Sequence, residues 1–338
     1  MTRRRARSWV DVVIGWIDRI PGPPWAVYAA LVVLSVVASV IPRLLDGALI
    51  DGLTIAFAAL TFTPFAVLHA TAHASRRALA EFRPALGALE PDYDELERRL
   101  ATTSAAAAIV SIVLSAAIVT GGAVSVRGGW GIAPENSVLT NAVTIVQEVI
   151  LNAALLTFLL HQVGVVRTIT RIHRDATGIV LWDVRPHRAF ARVTVLTAIA
   201  IVVLYVTAAV GSALTSDNPA IAAGLGVVAL AIATVAFAGP LAGMRRRLVR
   251  ERDRQLGETD RAFEAVATRL RADVDASDFD AAARLEGVVS ALSGERARLR
   301  AVSTWPWSAD TLRAFLTSLG VPIALWLVTT LLGRLLFP

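Results

Sequence analysis

Glu148 is the residue in this sequence best placed to do chemistry. It is the sole Asp, Glu, Arg or His within seven long apolar stretches of the chain. Asn141, Thr144 and Asn152 stand seven and four residues from it, hence on its helical face, and Gln147 is adjacent. A carboxylate at bilayer depth is costly unless it is protonated, paired or hydrated. Two readings follow. Glu148 exchanges protons or coordinates a cation inside a helical bundle, or it is a neutral acid hydrogen-bonded to Asn and Gln for packing. No second carboxylate or cation comes from another apolar stretch, which is thin provision for a transporter.

Histidine supplies the second candidate group. His69 and His73 are four residues apart and share a helix face. Joined by His161, they would form a metal site near a membrane surface, because imidazole suits Zn and similar ions. No Asp, Glu or Cys accompanies them at a diagnostic spacing, so interfacial packing is the plainer reading. A third group is the acidic run Asp273, Asp275, Ser277, Asp278 and Asp280. As a calcium loop it would need Gly at its sixth position and Glu at its twelfth, where Asp278 and Arg284 stand. It reads as a polar turn. Phosphate loops, His-Glu-x-x-His pairs and Gly-x-Ser-x-Gly elbows do not occur, so the expectation is a non-enzymatic chain without a cofactor. With no Cys there are no disulfides and no thiolate chemistry.

The elements that would hold these residues follow from hydropathy. Of 338 residues, 55% are hydrophobic and 18% are charged, against about 25% charged in ordinary soluble domains. The apolar excess falls in segments 25–41, 52–68, 104–126, 138–160, 193–214, 219–243 and 314–333. About 20 helical residues cross a hydrocarbon core of about 30 Å. The predicted fold is therefore all-α: a polytopic membrane bundle of seven transmembrane helices. The first two segments are short and should extend into their flanks. Pro64, Pro240 and Pro322 should kink their helices.

Arginine sets the predicted topology. The formal net charge is +6, and every basic residue is Arg. With the N-terminus inside, 30 of the 33 Arg lie on the cytoplasmic side; only Arg43, Arg127 and Arg334 lie outside. The positive-inside rule thus gives N-inside, C-outside in a plasma membrane. The same distribution argues against nucleic acid as a partner, since the Arg clusters adjoin bilayer ends and are mixed with acids.

Four regions result. Residues 1–24 carry Arg3, Arg4, Arg5 and Arg7 before Trp9, Val12, Val13, Trp16, Ile17 and Ile20 at helical spacing. This is the pattern of an interfacial amphipathic helix. Residues 25–243 hold transmembrane helices 1 to 6, and 309–338 the seventh. Between them, 244–308 reads as a cytoplasmic helical hairpin. Its first arm carries Leu248, Leu256, Phe263, Val266, Leu270 and Val274. Its second carries Leu285, Val288, Leu292, Leu299 and Val302, close to a coiled-coil pattern, with Ser277 or Asp278 as the cap between them. Neither arm can bury its stripe alone, so each should pack on the other, on 73–103, on a second copy or on a cytoplasmic protein. In 73–103, Asp92 with Glu95 reads as a helix start.

Two further segments carry a resemblance. One is 172–197, with Ile172, His173, Leu181, Asp183, Pro186, Ala189, Phe190 and Thr194. The other is 295–326, with Glu295, Arg296 and Leu299, the run Ser303-Thr304-Trp305-Pro306-Trp307, then Thr311, Leu312, Arg313, Pro322 and Trp326. Together they resemble a group of uncharacterised multi-span prokaryotic membrane proteins that have the Ser-Thr-Trp-Pro-Trp motif before the last span. The pattern has Asp-Leu-Phe where this chain has Val180-Leu181-Trp182, and Ser in place of Ala191. The resemblance covers about a sixth of the chain and implies a topology but no activity. Physically, Trp305 and Trp307 suit a headgroup layer, Pro306 would make an elbow, and Ile179, Leu181 and Trp182 would lie along the same surface. His173, Trp182, Asp183, Arg185, Trp305 and Trp307 are thus candidates for a cytoplasmic collar.

On these grounds the expected function is that of a membrane scaffold or signalling component acting through 244–308. The alternative is an ion or proton channel or transporter using Glu148.

Overall fold

Long apolar runs with few breakers fold as helices, and in this chain they account for nearly everything. The computed structural model describes residues 8–48, 50, 52–125, 136–178, 181–215, 219–305, 307–318 and 320. It is 87% helix, with no strand among the described residues. Four helical stretches there are long and apolar enough to cross a membrane, lying within Pro24–Leu45, Gly87–Gly121, Val138–Asp175 and Gly226–Asp275.

The chain opens with α1 (Trp9–Ile17), set by a capping box in which Ser8 and Asp11 satisfy each other's backbone N–H. Its Val10 and Ile17 are buried in a protein core. The interfacial helix expected here thus packs partly on protein: Trp9 meets the Phe65 ring edge-on at 5.4 Å and donates to the Ala108 carbonyl at 3.3 Å. Val12 and Trp16 remain exposed. Arg3, Arg4, Arg5 and Arg7 lie outside the described residues.

Helix α2 (Pro24–Leu45) extends the first apolar segment at both ends. The second segment is two helices, α3 (Gly52–Leu60) and α4 (Thr63–Phe82). Pro64 lies at the start of α4, where a missing N–H costs nothing. It therefore separates two helices; the expected kink within one helix does not occur. Two 3₁₀ turns, Arg83–Ala85 and Gly87–Asp92, lead to α5 (Tyr93–Ala101). Asp92 holds the N-cap position of α5 without capping it. Glu95 pairs with Arg98 and Arg99 and does not reach back to the Asp92 backbone, so the capping box expected here does not form.

Next come α6 (Ala105–Ser125) and α7 (Val138–Asp175). The 38 residues of α7 outrun the apolar segment 138–160 by four turns. After the short α8 (Val184–Arg188) and α9 (Ala191–Thr215), α10 (Pro219–Asp275) runs for 57 residues, about 85 Å at about 1.5 Å per residue. Pro240 lies inside it without ending it. Ser277, at φ 58°, turns the chain. Asp278 then caps α11 (Phe279–Ala301) by accepting from Ala281 N at 2.9 Å. The acidic run is therefore a turn and a cap.

Two cores organise the helices. One gathers apolar residues of α1, α2, α4, α7, α9 and α10, with Phe158 and Phe237 among them. The other, which we call the junction, joins the end of α4, the 3₁₀ turns, α5, the end of α7, 176–193, Leu241 to Leu248 of α10 and Leu299 of α11. Beyond it α10 and α11 pack on each other. Their less exposed positions alternate in steps of three and four: Leu256, Thr259, Phe263, Val266, Leu270 and Asp273 on α10, and Ala282, Leu285, Val289, Leu292, Arg296 and Leu299 on α11. Two expected stripe residues are displaced: Val288 and Val274 are exposed. Val289, one residue on, takes the inward position because 282–285–289 continues the spacing that Leu292 and Leu299 fix.

Candidate functional site

Glu148 is 6% exposed, in the half of α7 that faces α2 and α6. Its polar neighbours divide the expected cluster in two. Asn152 bonds to Glu148 twice, Nδ2 donating to the backbone carbonyl at 2.8 Å and to Oε2 at 3.2 Å. Among the described residues Glu148 has no ion-pair partner. Gln147 points elsewhere. Its Nε2 donates to the Ser35 carbonyl at 2.8 Å and to Ser35 Oγ at 3.0 Å, and its Oε1 accepts from Ser39 Oγ at 2.5 Å. It thereby clamps α7 to α2. Thr144 spends its hydroxyl on the Thr140 carbonyl at 2.9 Å, and Asn141 accepts from Asn136 at 3.3 Å. Glu148 and Asn152 pair with each other, while Gln147 and Thr144 hydrogen-bond to other groups.

The end of α2 is tied to α7 as well. Asp46 accepts from Ser137 N at 2.9 Å and from Thr140 Oγ1 at 2.7 Å. These hydrogen bonds stabilise the charged carboxylate and hold Asp46 below the usual carboxylate range.

The histidines separate. His69 Nε2 lies 3.0 Å from Asp18 Oδ1. Tyr28 OH is 3.3 Å from His69 Nδ1 and donates to the Phe65 carbonyl at 3.2 Å. The His73 ring is 5.0 Å from that of His69. Ligand atoms of Asp18, His69 and His73 all lie within 4.8 Å of one another. His161 is not in that group. It is buried on α7. It is Asp18, and not His161, that the fold brings to His69 and His73. The signal for Asp18 was weak: it sits on α1's polar face, and only the docking of α1 on α4 brings it to the histidines.

His69 and His161 do share a cleft of about 900 Å³ between α1, α4, the α5–α6 connection and α7. Arg76, Arg98 and Arg99 line it. Its mouth is fixed by Asp11, whose Oδ1 accepts from Thr103 N at 3.1 Å and Thr103 Oγ1 at 3.0 Å. Ser8 Oγ also bonds to Thr103 Oγ1.

The collar residues fall into three settings. His173 is buried between the Phe82 and Phe190 rings at 5.7 and 5.4 Å. Its Nδ1 donates to the Pro240 carbonyl at 3.0 Å, joining α7 to α10. Sequence reasoning missed Arg247, which donates to the His173 and Arg174 carbonyls at 2.8 and 3.0 Å. It caps the α7 C-terminus, where carbonyls lack intrahelical partners and a cation suits the dipole. Trp307 packs on Phe237 and Trp305 at 5.4 and 4.9 Å, and the Arg245 guanidinium lies over Trp305 at 4.2 Å. Trp182 is exposed beside Val288, Ala291, Leu292, Glu295 and Arg298. Asp183 and Arg185 are exposed and only cap α8, Asp183 Oδ1 accepting from Arg185 N at 3.2 Å. His173, Trp305 and Trp307 therefore take part in the junction, Trp182 flanks α11, and Asp183 with Arg185 does neither. Pro306, Ile179 and Val180 lie outside the described residues, as does the side chain of His187.

A close approach of two loops completes the junction. Thr177 N and Gly178 N donate to the carbonyls of Leu86 and Ala85 at 3.3 and 3.1 Å. Thr177 Oγ1 accepts from Ala88 N at 2.9 Å. Gly87 (φ +56°) allows this, since a Cβ there would stand 2.2 Å from Thr177 Oγ1 and 2.8 Å from Gly178 N.

No family model, no curated protein and no solved structure matches this chain.

Proposed function

We propose that this chain is a multi-pass plasma-membrane scaffold or signalling component, non-enzymatic, whose working part is the α10–α11 pair. The reading takes seven spans with the N-terminus inside, from the Arg distribution, and places α10–α11 in the cytoplasm as a coiled-coil-like hairpin. One observation carries it. Helix α10 passes without a break from an apolar stretch fit to cross a bilayer into a charged arm. A continuous helix transmits rotation and displacement along its axis, and Arg247 ties its midpoint to the end of α7. The far end is open to solvent and sets single apolar side chains among Asp273, Asp275, Asp278 and Asp280: Phe279 is 68% exposed, and Val274 and, further along α11, Val288 are exposed as well. These exposed apolar residues are the proposed protein contacts. The partner is a second copy or a cytoplasmic protein.

The test is the size of the assembly extracted from native membranes in mild detergent. The full chain is expected to run larger than one protomer, and Phe279→Glu with Val288→Glu to reduce it to a monomer. An unchanged size, or a monomer from the start, refutes the reading.

Glu148 supports a second reading, an ion or proton path, because its carboxylate is buried with no ion-pair partner among the described residues. The Asn152 bond favours a packing role. Proteoliposomes separate the two. Packing predicts no proton or cation flux above protein-free vesicles; conduction predicts a flux that Glu148→Gln abolishes.

A further inference from the structure

The Asp18, His69 and His73 group brings together three ligand-type side chains from two elements, the end of α1 and one face of α4, and Asp18 and His69 line the cleft. His69 is 4% exposed. Its Nε2 is sealed from solvent and has no hydrogen-bond partner among the described residues, although Asp18 Oδ1 is 3.0 Å away. The other ring nitrogen is engaged. Tyr28 donates its proton to the Phe65 carbonyl, which leaves its oxygen to accept from His69 Nδ1. In the neutral tautomer with the proton on Nδ1, Nε2 turns a lone pair to a carboxylate oxygen, and a proton or a metal cation between the two relieves their repulsion. A hydroxyl or carbonyl holding the distal N–H is also how metal-bound imidazoles are oriented.

We propose that Asp18, His69 and His73 hold a divalent transition ion of the imidazole-preferring class, Zn²⁺ being the type. His69 and His73 are one helical turn apart, a spacing at which two imidazoles reach one ion. Zinc bonds of about 2.0–2.2 Å need ligand atoms about 3.3 Å apart. The Asp18–His69 pair is already near that, and His73, exposed at the rim, closes the remainder by turning its side chain. Three protein ligands leave a fourth position open toward the cleft, where Arg76, Arg98 and Arg99 give an anion a favourable approach.

The experiment uses the full chain, purified in detergent and stripped with EDTA. Co²⁺ serves as the optical probe and Zn²⁺ as its competitor. One Co²⁺ per chain with visible ligand-field bands, displaced by Zn²⁺, is expected. His73→Gln and Asp18→Asn change exposed side chains and leave the core intact. Each should weaken Zn²⁺ at least tenfold. Tyr28→Phe should weaken it about 10- to 100-fold. His161→Gln, on the same cleft but outside the set, should leave affinity unchanged. The proposal is overturned if no stoichiometric ion binds, or if His73→Gln and Asp18→Asn bind as the parent does. The group is then an ordinary His–Asp ion pair. It is equally overturned if His161→Gln alone removes binding.

Discussion

The junction and the α10–α11 arm are built from the same helix, yet they are held in opposite ways. At the junction α10 meets the ends of α7 and α11 in a core that also holds the end of α4 and the two loops, and the polar ties there are specific. Arg247 caps α7, His173 bridges to Pro240, and Gly87 lets one loop sit on the other. Along the arm α10 meets α11 alone. The seam is half-buried, and the Arg296–Asp260 ion pair at 2.7 Å is its main polar link. Its end exposes Phe279. A firmly tied base with a lightly held, exposed end is the arrangement on which the proposed scaffold role rests. The difference also places the chain's stability at the base and its capacity for change at the tip.

The contrast can be broken hardest at Gly87. Gly87→Ala forces a Cβ into Thr177 and a side chain into φ +56°. It should cost about 2–4 kcal/mol, combining backbone strain with the loss of the loop contacts. The expected readout is a large fall in thermal midpoint and rapid proteolysis at 83–92. Arg247→Ala comes next. It uncovers two carbonyls at the α7 C-terminus and should cost about 1–3 kcal/mol. Faster amide exchange at 170–175 would report it, with the arm beyond 256 unaffected.

In the apolar half of α7, Gln147→Leu removes three hydrogen bonds between α2 and α7. Such interhelical bonds average about 0.6 kcal/mol each, so a loss of about 1–2 kcal/mol is expected in unfolding from mixed micelles. The Asp46 joint adds a pH test. Its carboxylate is held below its ordinary range, so it contributes stability at neutral pH that is lost as pH falls through the folded-state pKa. Amide protection factors at 137–141, corrected for the intrinsic pH dependence of exchange, should fall under acid in the parent. In Asp46→Asn they should be low and independent of pH across the same range. The smallest effect is reserved for the arm: Arg296→Ala should cost under about 1 kcal/mol, since half-exposed ion pairs contribute little. A large cost there would mean that the arm is as rigid as the base.

Much of this was legible in the residues. Hydropathy placed α2, α6 and the starts of α7 and α10 within a few residues, because long apolar runs with few breakers fold as helices. Glu148 stood out as a charged residue within one such run. What escaped depends on register or on long-range docking. A stripe with Val288 and one with Val289 are both compatible with the pattern, and the contact with α10 chooses. Asp18 joins His69 only because α1 docks on α4, and its own surroundings resemble any polar face. Pro64 marked a break, but whether it kinks or separates helices is decided at Thr61 and Phe62. Arg247 is one of three consecutive Arg, and nothing local marks it as the cap.

Cysteine cross-linking in native membranes tests the central claim most directly, because the chain has no Cys of its own. A single Cys replaces Phe279 at the tip or Ala88 at the exposed base, and a short bifunctional maleimide is added. The account predicts a discrete higher-mass species from Phe279→Cys and none from Ala88→Cys. Cross-linking equal at the two sites, or confined to Ala88→Cys, would contradict it.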